Sequence, residues 1–595
     1  MTRAVNAPRK NGRGGTSRVK SGCRTCKIRK VKCDEHFPVC QRCVSTGRIC
    51  DGYGVWGGGG NDYGSRQPPR APSDTSTIMD YHPLTRISTL VASTDEKASF
   101  QWFRVRTLTK IPGSYISDFW TTILLQAGHT DQAAWHAILA LSSTHQRGFV
   151  HTNPGPENML EHSTSRNLIK AVHHLHSHFS SQDKLSCRVV LIVCLVFVVL
   201  DLLRGHFTSA QVHLRNGLNI LAKTNYSSQV SNSDSHGSPP TVCEPIDVSI
   251  YEAFFRIHTQ VELLQHHHNP RPCIIPPLQL SVYEPCFSAS QFSSYTAAWR
   301  GLDYLINQIF LLSAQAREHA ANAGAEATSS YTLLAHQQRI KIGLDSWLAT
   351  YTSSVDTLRL AVSETIAEAK TKVHHVVCSY HIMLTIMAET ALTLNNETIF
   401  DSYTARFTEM ISRLTAVRKS SSTEQHLPNS QLPPDDDKIS VTGEAKRRRI
   451  GGCDMAHTII DIGWMIPLFY VAIKCRVRSI RHQAIRLLES TSHREGIWDA
   501  TITARIARRV VEIEEGDFYD DIGSETEAVH DPDRNLGSAA RNDGAMLSES
   551  CRIRHLEVRM EGDPLEKVFL FGGWEGMSGS TVCIGEYRVL GQCWI

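Results

Sequence analysis

The sequence predicts a mostly α fold: a small cysteine-built head, a flexible linker, a large all-helical domain and a minor irregular or β segment at the C-terminus. Three observations carry this. Six cysteines between Cys23 and Cys50 form two triplets of one spacing, C-x2-C-x6-C. From Phe100 onward apolar residues recur every three or four positions, the period of a helix buried on one side. Between the two lies a stretch too rich in Gly, Pro and Ser to build a core.

The triplets are Cys23/Cys26/Cys33 and Cys40/Cys43/Cys50. Six thiols are too many for one tetrahedral zinc, which takes four ligands. Two such ions require eight thiolate positions, and six sulfurs supply them if two bridge both metals. The count points to a binuclear cluster holding two structural Zn2+ ions, closed to water and substrate. A disulfide knot would require an oxidising compartment, whereas residues 1–20 are basic and Gly-rich, without the apolar stretch of a signal peptide. Ligation replaces an apolar core, so the segment is expected to be unfolded without zinc. The six residues between Cys26 and Cys33 leave room for a short helix that starts at a ligand and directs Arg29, Lys30 and Lys32 away from the metal.

Charge is distributed unevenly. Residues 1–50 hold thirteen Lys or Arg against Asp34 and Glu35, a net of +11, so with a whole-chain charge of +3 the other 545 residues carry −8. A basic head on a mildly acidic body suits a polyanion-binding module carried by a regulatory body. The eleven remaining cysteines, Cys187, Cys194, Cys378 and Cys475 among them, lack paired spacing and read as buried thiols in a reducing compartment.

The cysteine spacing, with Pro38 two residues before Cys40, resembles the fungal binuclear zinc-cluster (Zn2Cys6) transcription factors. The stretches Phe100 to His145, Val189 to Leu221 and Gly463 to Glu514 look like the all-helical middle region that many of them carry. The resemblance implies that Cys23 and Cys40 bridge, that Cys26 and Cys33 complete one zinc, and that Cys43 and Cys50 complete the other. It places Lys30, and next Arg29, where the family reads a CGG-type triplet, with Arg24, Lys27, Lys32 and Arg42 on phosphates. It implies a nuclear, sequence-specific regulator of RNA polymerase II transcription in a fungus, an activator rather than a repressor, serving a biosynthetic gene cluster or a metabolic pathway. The partners implied are double-stranded DNA, the transcription machinery or coactivators, and a second copy in a homodimer, with no membrane. If about four to six phosphates are neutralised, log K falls with log salt at a slope of about −3.6 to −5.4. The competing function is a helical scaffold or ligand-sensing regulator whose cluster makes protein contacts, or a repressor.

In chain order, residues 1–20 form a disordered basic tail and 21–52 the cluster. Residues 53–98 form the linker, opened by Gly52 to Gly60 and lacking the a/d heptads of a coiled coil. Residues 99–515 form the helical domain, with mobile insertions near 225–246 and 419–452. Within it Ser117-Asp118 and Thr130-Asp131 are helix caps, the second leading into Trp135, Ile138, Leu139 and Ser142. The apolar run Val189 to Leu200 is twelve residues, short of the roughly 20 needed to cross a bilayer, and reads as a buried helix. Beyond Gly205, Phe207, Ala210, Leu214, Leu218 and Leu221 predict a helix antiparallel to it. Further helical patterns cover Leu302 to Leu312, Leu344 to Leu358 and Val373 to Leu394. Helix resumes from Ile459, is started or kinked by Pro467, and continues through Ile480, Ala484 and Leu488 to Val511. Residues 516–595 hold an acidic segment and short alternating runs from Arg552 to Met560 and Val568 to Ile595 that suggest a few strands.

Other groupings have bland readings beside functional ones. Lys446, Arg447, Arg448 and Arg449 are a nuclear-import candidate or a solvated charge run. Arg476, Arg478, Arg481, His482 and Arg486 read as the wet face of an amphipathic helix, and His173, His174, His176, His178 and His266 to His268 as surface histidines. Glu512 to Asp533, with ten acidic residues, is an activation segment or an acidic loop. There is no Gly-rich phosphate loop, His-Glu-x-x-His or Gly-x-Ser-x-Gly motif, so no enzyme is expected.

Overall fold

A computed structural model describes residues 25–26, 29, 31–34, 40–46, 92–113, 117–148, 154–179, 183–233, 248–265, 291–321, 327–360, 364–422, 458–516, 518, 546–576 and 581–595. The chain divides into two compact units, Met1–Val55 and Trp56–Ile595. In the first, α1 spans Gln41–Val44.

The first described helix of the second unit, α2, Thr94–Trp102, starts inside the stretch 53–98 expected to be linker. Ser93 Oγ accepts from Glu96 N while Glu96 Oε2 accepts from Ser93 N, so both donors at the helix start are satisfied reciprocally. A π-helical turn, Phe103–Thr107, continues it, and a second one, Phe119–Ile123, leads into α3, Leu124–Thr130. Ser117 Oγ accepts from Phe119 N at 3.3 Å, as its capping role predicts. Asp131 Oδ1 accepts from Ala133 and Ala134 N at 2.8 and 3.1 Å and starts α4, Gln132–Arg147, which packs on α5, Pro154–Phe179.

Helix α6, Lys184–Arg204, is stopped by Gly205 at φ +76°, where only a residue without Cβ sits easily. It is long and apolar enough to cross a membrane, longer than the twelve-residue run suggested, but 78% of its apolar window is buried among other helices. Helix α7, Phe207–Ser233, packs against it through Phe207, Ala210, Leu214, Leu218 and Leu221. It overruns the loop expected from 225, because nothing in residues 225–233 breaks a helix. Then follow α8, Val248–Gln265; α9, Tyr295–Ala321; α10, Ala327–Arg359; α11, Glu364–Thr390; a 3-10 turn, Glu397–Tyr403; and α12, Thr404–Ser422. Helix α11 ends four residues before the expected Leu394. Trp347 locks this layer: its ring stacks between Tyr351 and His381, and its Nε1 donates to Ala298 O at 2.8 Å.

After residue 457 the all-helical expectation fails locally. Ile459 lies in β1, Thr458–Ile459, which pairs parallel with β2, Arg494–Glu495, itself antiparallel to β3, Trp498–Asp499. The strands bracket α13, Met465–Lys474, and α14, Arg478–Glu489, and lead into α15, Ala500–Glu515. Glu495 explains why so short a sheet forms. Its buried carboxylate accepts from the N–H groups of Gly463, Trp464 and Met465 and so caps α13 from the neighbouring strand. Pro467 sits in the first turn of α13, where a helix start tolerates proline.

The C-terminal strands are β4, Arg554–Glu561; β5, Lys567–Gly573; β6, Val582–Arg588; and β7, Cys593–Trp594, an antiparallel sheet in that order. It is joined to the helices: Asp563 accepts from Thr208 and Ser209 N, and Leu565 N donates to Gly205 O at 2.9 Å.

Two expectations about charged side chains are overturned. Arg476 and Arg481 are no wet face; they are 1% and 0% exposed, and each reaches Glu514 at 2.7 Å. Arg478, His482 and Arg486 alone of that group keep contact with solvent. Glu514, the third residue of the acidic stretch, is therefore core, while most of that stretch lies outside the described residues. His178 is no surface histidine either: Nε2 lies 2.8 Å from Asp131 and Nδ1 3.1 Å from Ser186, joining α5 to the starts of α4 and α6. His173 and His176 are exposed, and His266 to His268 lie outside the described residues.

Burial pushes the Glu514 carboxyl up, but Arg476 and Arg481 outweigh it and hold it at about 2. A depressed carboxylate contributes stability above its unfolded value near 4.5 that is lost as pH falls towards 2. Glu514→Ala, which removes the nearest carboxylate from two buried guanidiniums and leaves them Glu397 and Glu515 at 3.0 and 3.4 Å, is expected to lower stability by about 3 kcal/mol at pH 7. Denaturant melts at pH 7 and pH 3 check this, the gap between variant and parent being smaller at pH 3.

Candidate metal centre

Cys26, Cys33, Cys40 and Cys43 cluster in the interior of the head, each no more than 5% exposed, with Val31 packed against them. The chain turns helically just after the first of them: Arg29 N donates to Thr25 O and Val31 N to Cys26 O, both at 3.1 Å. Helix α1 starts on a sulfur. Cys40 is its N-cap, and Cys40 Sγ accepts from Cys43 N at 3.3 Å.

Two residues that the spacing did not single out hold the halves together. Asp34 accepts from Gln41 N at 3.1 Å and from Arg42 N at 2.6 Å, filling the remaining donors of α1. Thr46 Oγ1 accepts from Arg29 Nη1 at 3.1 Å and donates to Arg42 O at 2.8 Å. Neither has a local signature, since each acts on residues four to seventeen positions away.

The sulfurs fit zinc. Four thiolates about 2.3 Å from a tetrahedral ion stand about 3.8 Å from one another. Cys26 Sγ lies 3.6 Å from Cys40 Sγ and 3.8 Å from Cys43 Sγ. The sulfurs of Cys26, Cys33 and Cys40 all lie within 4.8 Å of one another, and among the described residues no other group of three ligand-type side chains does so. Arg29 is half-buried against Thr46, and Lys32 and Arg42 are exposed. Cys23, Cys50, Arg24, Lys27 and Lys30 lie outside the described residues, as do Lys446 to Arg449.

A four-thiolate site has no open position for a substrate, so the head belongs to the class of metal-folded recognition modules and not to metalloenzymes. Residues 21–55 match the family described as "Fungal Zn(2)-Cys(6) binuclear cluster domain", and residues 103–510 match "Fungal specific transcription factor domain". The chain belongs to the fungal Zn2Cys6 transcription regulators, which are not enzymes, and its cofactor is two zinc ions. Among similar proteins, the "Aspercryptin biosynthesis cluster-specific transcription regulator atnN" of Emericella nidulans is 30% identical over 274 residues, 42% of each chain. "Transcription regulator lscL" of Purpureocillium lilacinum is 26% identical over 212 residues, 33% of this chain and 47% of its own. "Zn(2)-C6 fungal-type transcription factor afumD" of Aspergillus fumigatus is 27% identical over 142 residues, 23% of this chain and 35% of its own. The chain thus spans less than half the length of these relatives. No solved structure matches it.

Zinc stripping by a strong chelator is expected to unfold the head and leave the body folded. Limited proteolysis with mass readout checks this, cuts within residues 21–55 appearing only after chelation. Asp34→Ala, which frees two amides beside Cys40, is expected to lower zinc affinity about tenfold or more, measured by competition with a chromogenic chelator.

Proposed function

We propose that this chain acts in the nucleus of a fungus as a sequence-specific DNA-binding activator of RNA polymerase II transcription, and that it serves a biosynthetic gene cluster. The observation that carries the proposal is a thiolate cluster with Arg29 and Arg42 set on helical turns that begin at its ligands and Lys32 exposed beside it. In this reading Cys26 and Cys33 complete one zinc, Cys43 and Cys50 the other, and Cys23 and Cys40 bridge. Lys30 and Arg29 read a CGG-like element by donating to guanine O6 and N7. Arg24, Lys27, Lys32 and Arg42 neutralise phosphates, fixing register without carrying sequence information. Support also comes from the +11 charge of residues 1–50 and from the relative whose name assigns it to a biosynthesis cluster. Lys446 to Arg449 act as the import signal. The body joins two copies on paired half-sites and recruits coactivators, with the boundaries 1–20, 21–52, 53–98, 99–515 and 516–595 as functional segments.

The test is selection of the full-length, zinc-loaded chain against a randomised duplex pool at fixed salt. Enrichment of CGG-containing sites at two zincs per chain is expected, with loss of enrichment in Lys30→Ala and unchanged zinc content. A fully metallated chain that enriches nothing would favour the reading in which the cluster makes protein contacts.

A further inference from the structure

Helix α10 runs for 33 residues, about 50 Å at a rise of about 1.5 Å per residue. One face is core: Ile340, Leu344, Trp347, Tyr351 and Leu358 are buried where the helix packs on α9 and α11. The opposite face is not polar, as the wet side of a helix ordinarily is. Tyr331, Leu334, Ile342 and Leu348 are 74%, 57%, 55% and 42% exposed. Positions 331, 334, 338, 341, 345, 348 and 352 alternate steps of three and four, which puts them in one seam along the helix, with Ile342 beside it.

The seam is apolar towards its ends and charged at its middle, where Lys341 and Asp345 stand four residues apart. Such pairs close on the neighbouring helices: Glu368 meets Lys372 on α11 at 3.1 Å, and Glu409 meets Arg413 on α12 at 2.7 Å. Lys341 and Asp345 do not close, and neither forms an ion pair with another described residue. Their order explains why they do not meet, because a pair with the cation on the N-terminal side is the weaker orientation. Both charges are left for something outside the chain.

What can answer both follows from their signs. An acidic partner leaves Asp345 unmatched, and a basic one leaves Lys341. A second α10 lying parallel in register sets lysine on lysine and aspartate on aspartate. A second α10 turned end for end, with a two-fold axis level with Gly343, sets Lys341 of each copy opposite Asp345 of the other. The same arrangement brings the two Ile342 side chains together beside the axis, Leu348 over Gln338 and Leu334 over Thr352. This is the self-complementarity that an isologous contact requires.

We propose that the exposed face of α10 joins two copies of this chain in an antiparallel, two-fold contact. It supplies the surface for the joining of copies proposed above and rests on that reading. The apolar residues stabilise the contact by leaving water, and the central ion pairs fix its orientation and register.

The experiment is sedimentation equilibrium of the full-length, zinc-loaded chain without DNA across the micromolar range. A reversible dimer is expected. Lys341→Glu and Asp345→Lys each set like charges against each other twice, and each is expected to weaken the dimer about tenfold or more. An equimolar mixture of the two variants is expected to dimerise as the parent does, because each contact in the mixed pair again joins unlike charges. Ile342→Asp is expected to leave a monomer, and melting curves establish that every variant is folded. A parent that stays monomeric, a dimer indifferent to both charge reversals, or a mixture no tighter than its components would overturn the proposal. Binding to a duplex with one CGG element, measured alongside, separates the two readings: a monomeric parent that still binds it sinks this surface alone, and a dimer that does not bind it sinks the DNA reading alone.

Discussion

One buried carboxylate organises the C-terminal half of the body. Glu514 on α15 takes Arg476 from the turn between α13 and α14 on one oxygen and Arg481 from within α14 on the other. The first oxygen also accepts from Ile553 N, immediately before the C-terminal sheet, at 2.9 Å. Arg476 extends the network to Glu397 at 3.0 Å, which Lys474 also reaches at 2.8 Å. Four segments far apart in sequence, at Glu397, residues 474–481, Glu514 and Ile553, therefore share one network. Apolar contact alone would hold these helices together, but it is non-directional and tolerates sliding. An oxygen with two fixed guanidinium forks does not, so the network sets the angle at which α13, α14 and α15 meet.

The two units are held by opposite physics. The body buries a continuous apolar core running from Phe100 to Val589, whereas the described residues of the head bury four sulfurs, with one partly buried valine against them. A segment that small cannot bury enough surface to offset its chain entropy, so its folding free energy is metal-binding free energy. Metal supply and redox state therefore act on the head and leave the core of the body untouched.

How much was legible in the sequence follows from how local each cause is. The Asp131 cap and the Gly205 stop are written within a few residues of their effect and appear in place, and of the six cysteines the described Cys26, Cys33, Cys40 and Cys43 come together. The capping box at Ser93 and Glu96 is just as local, but it lies in composition that reads as linker, so the start of α2 is missed. Glu495 acts across about thirty residues, and its two-residue strand has no periodicity to detect. Arg476 and Arg481 carry the pattern of a solvated basic stripe, because the sequence does not display the acid that α15 brings to them. In the head the ligands announce themselves, whereas Asp34 and Thr46, which hold its halves in register, do not.

The tie between the C-terminal sheet and the early helices bears on how the chain is made. Asp563 and Leu565 complete the turn between α6 and α7, more than 350 residues upstream, and Arg552 pairs with Asp401 at 2.7 Å. During synthesis the ribosome releases α6 and α7 long before their partners exist, and at about 5–20 residues per second the wait lasts tens of seconds. Over that interval the N–H groups of Thr208 and Ser209 and the carbonyl of Gly205 are left to water, so the turn between α6 and α7 is completed only when residues 563–565 arrive.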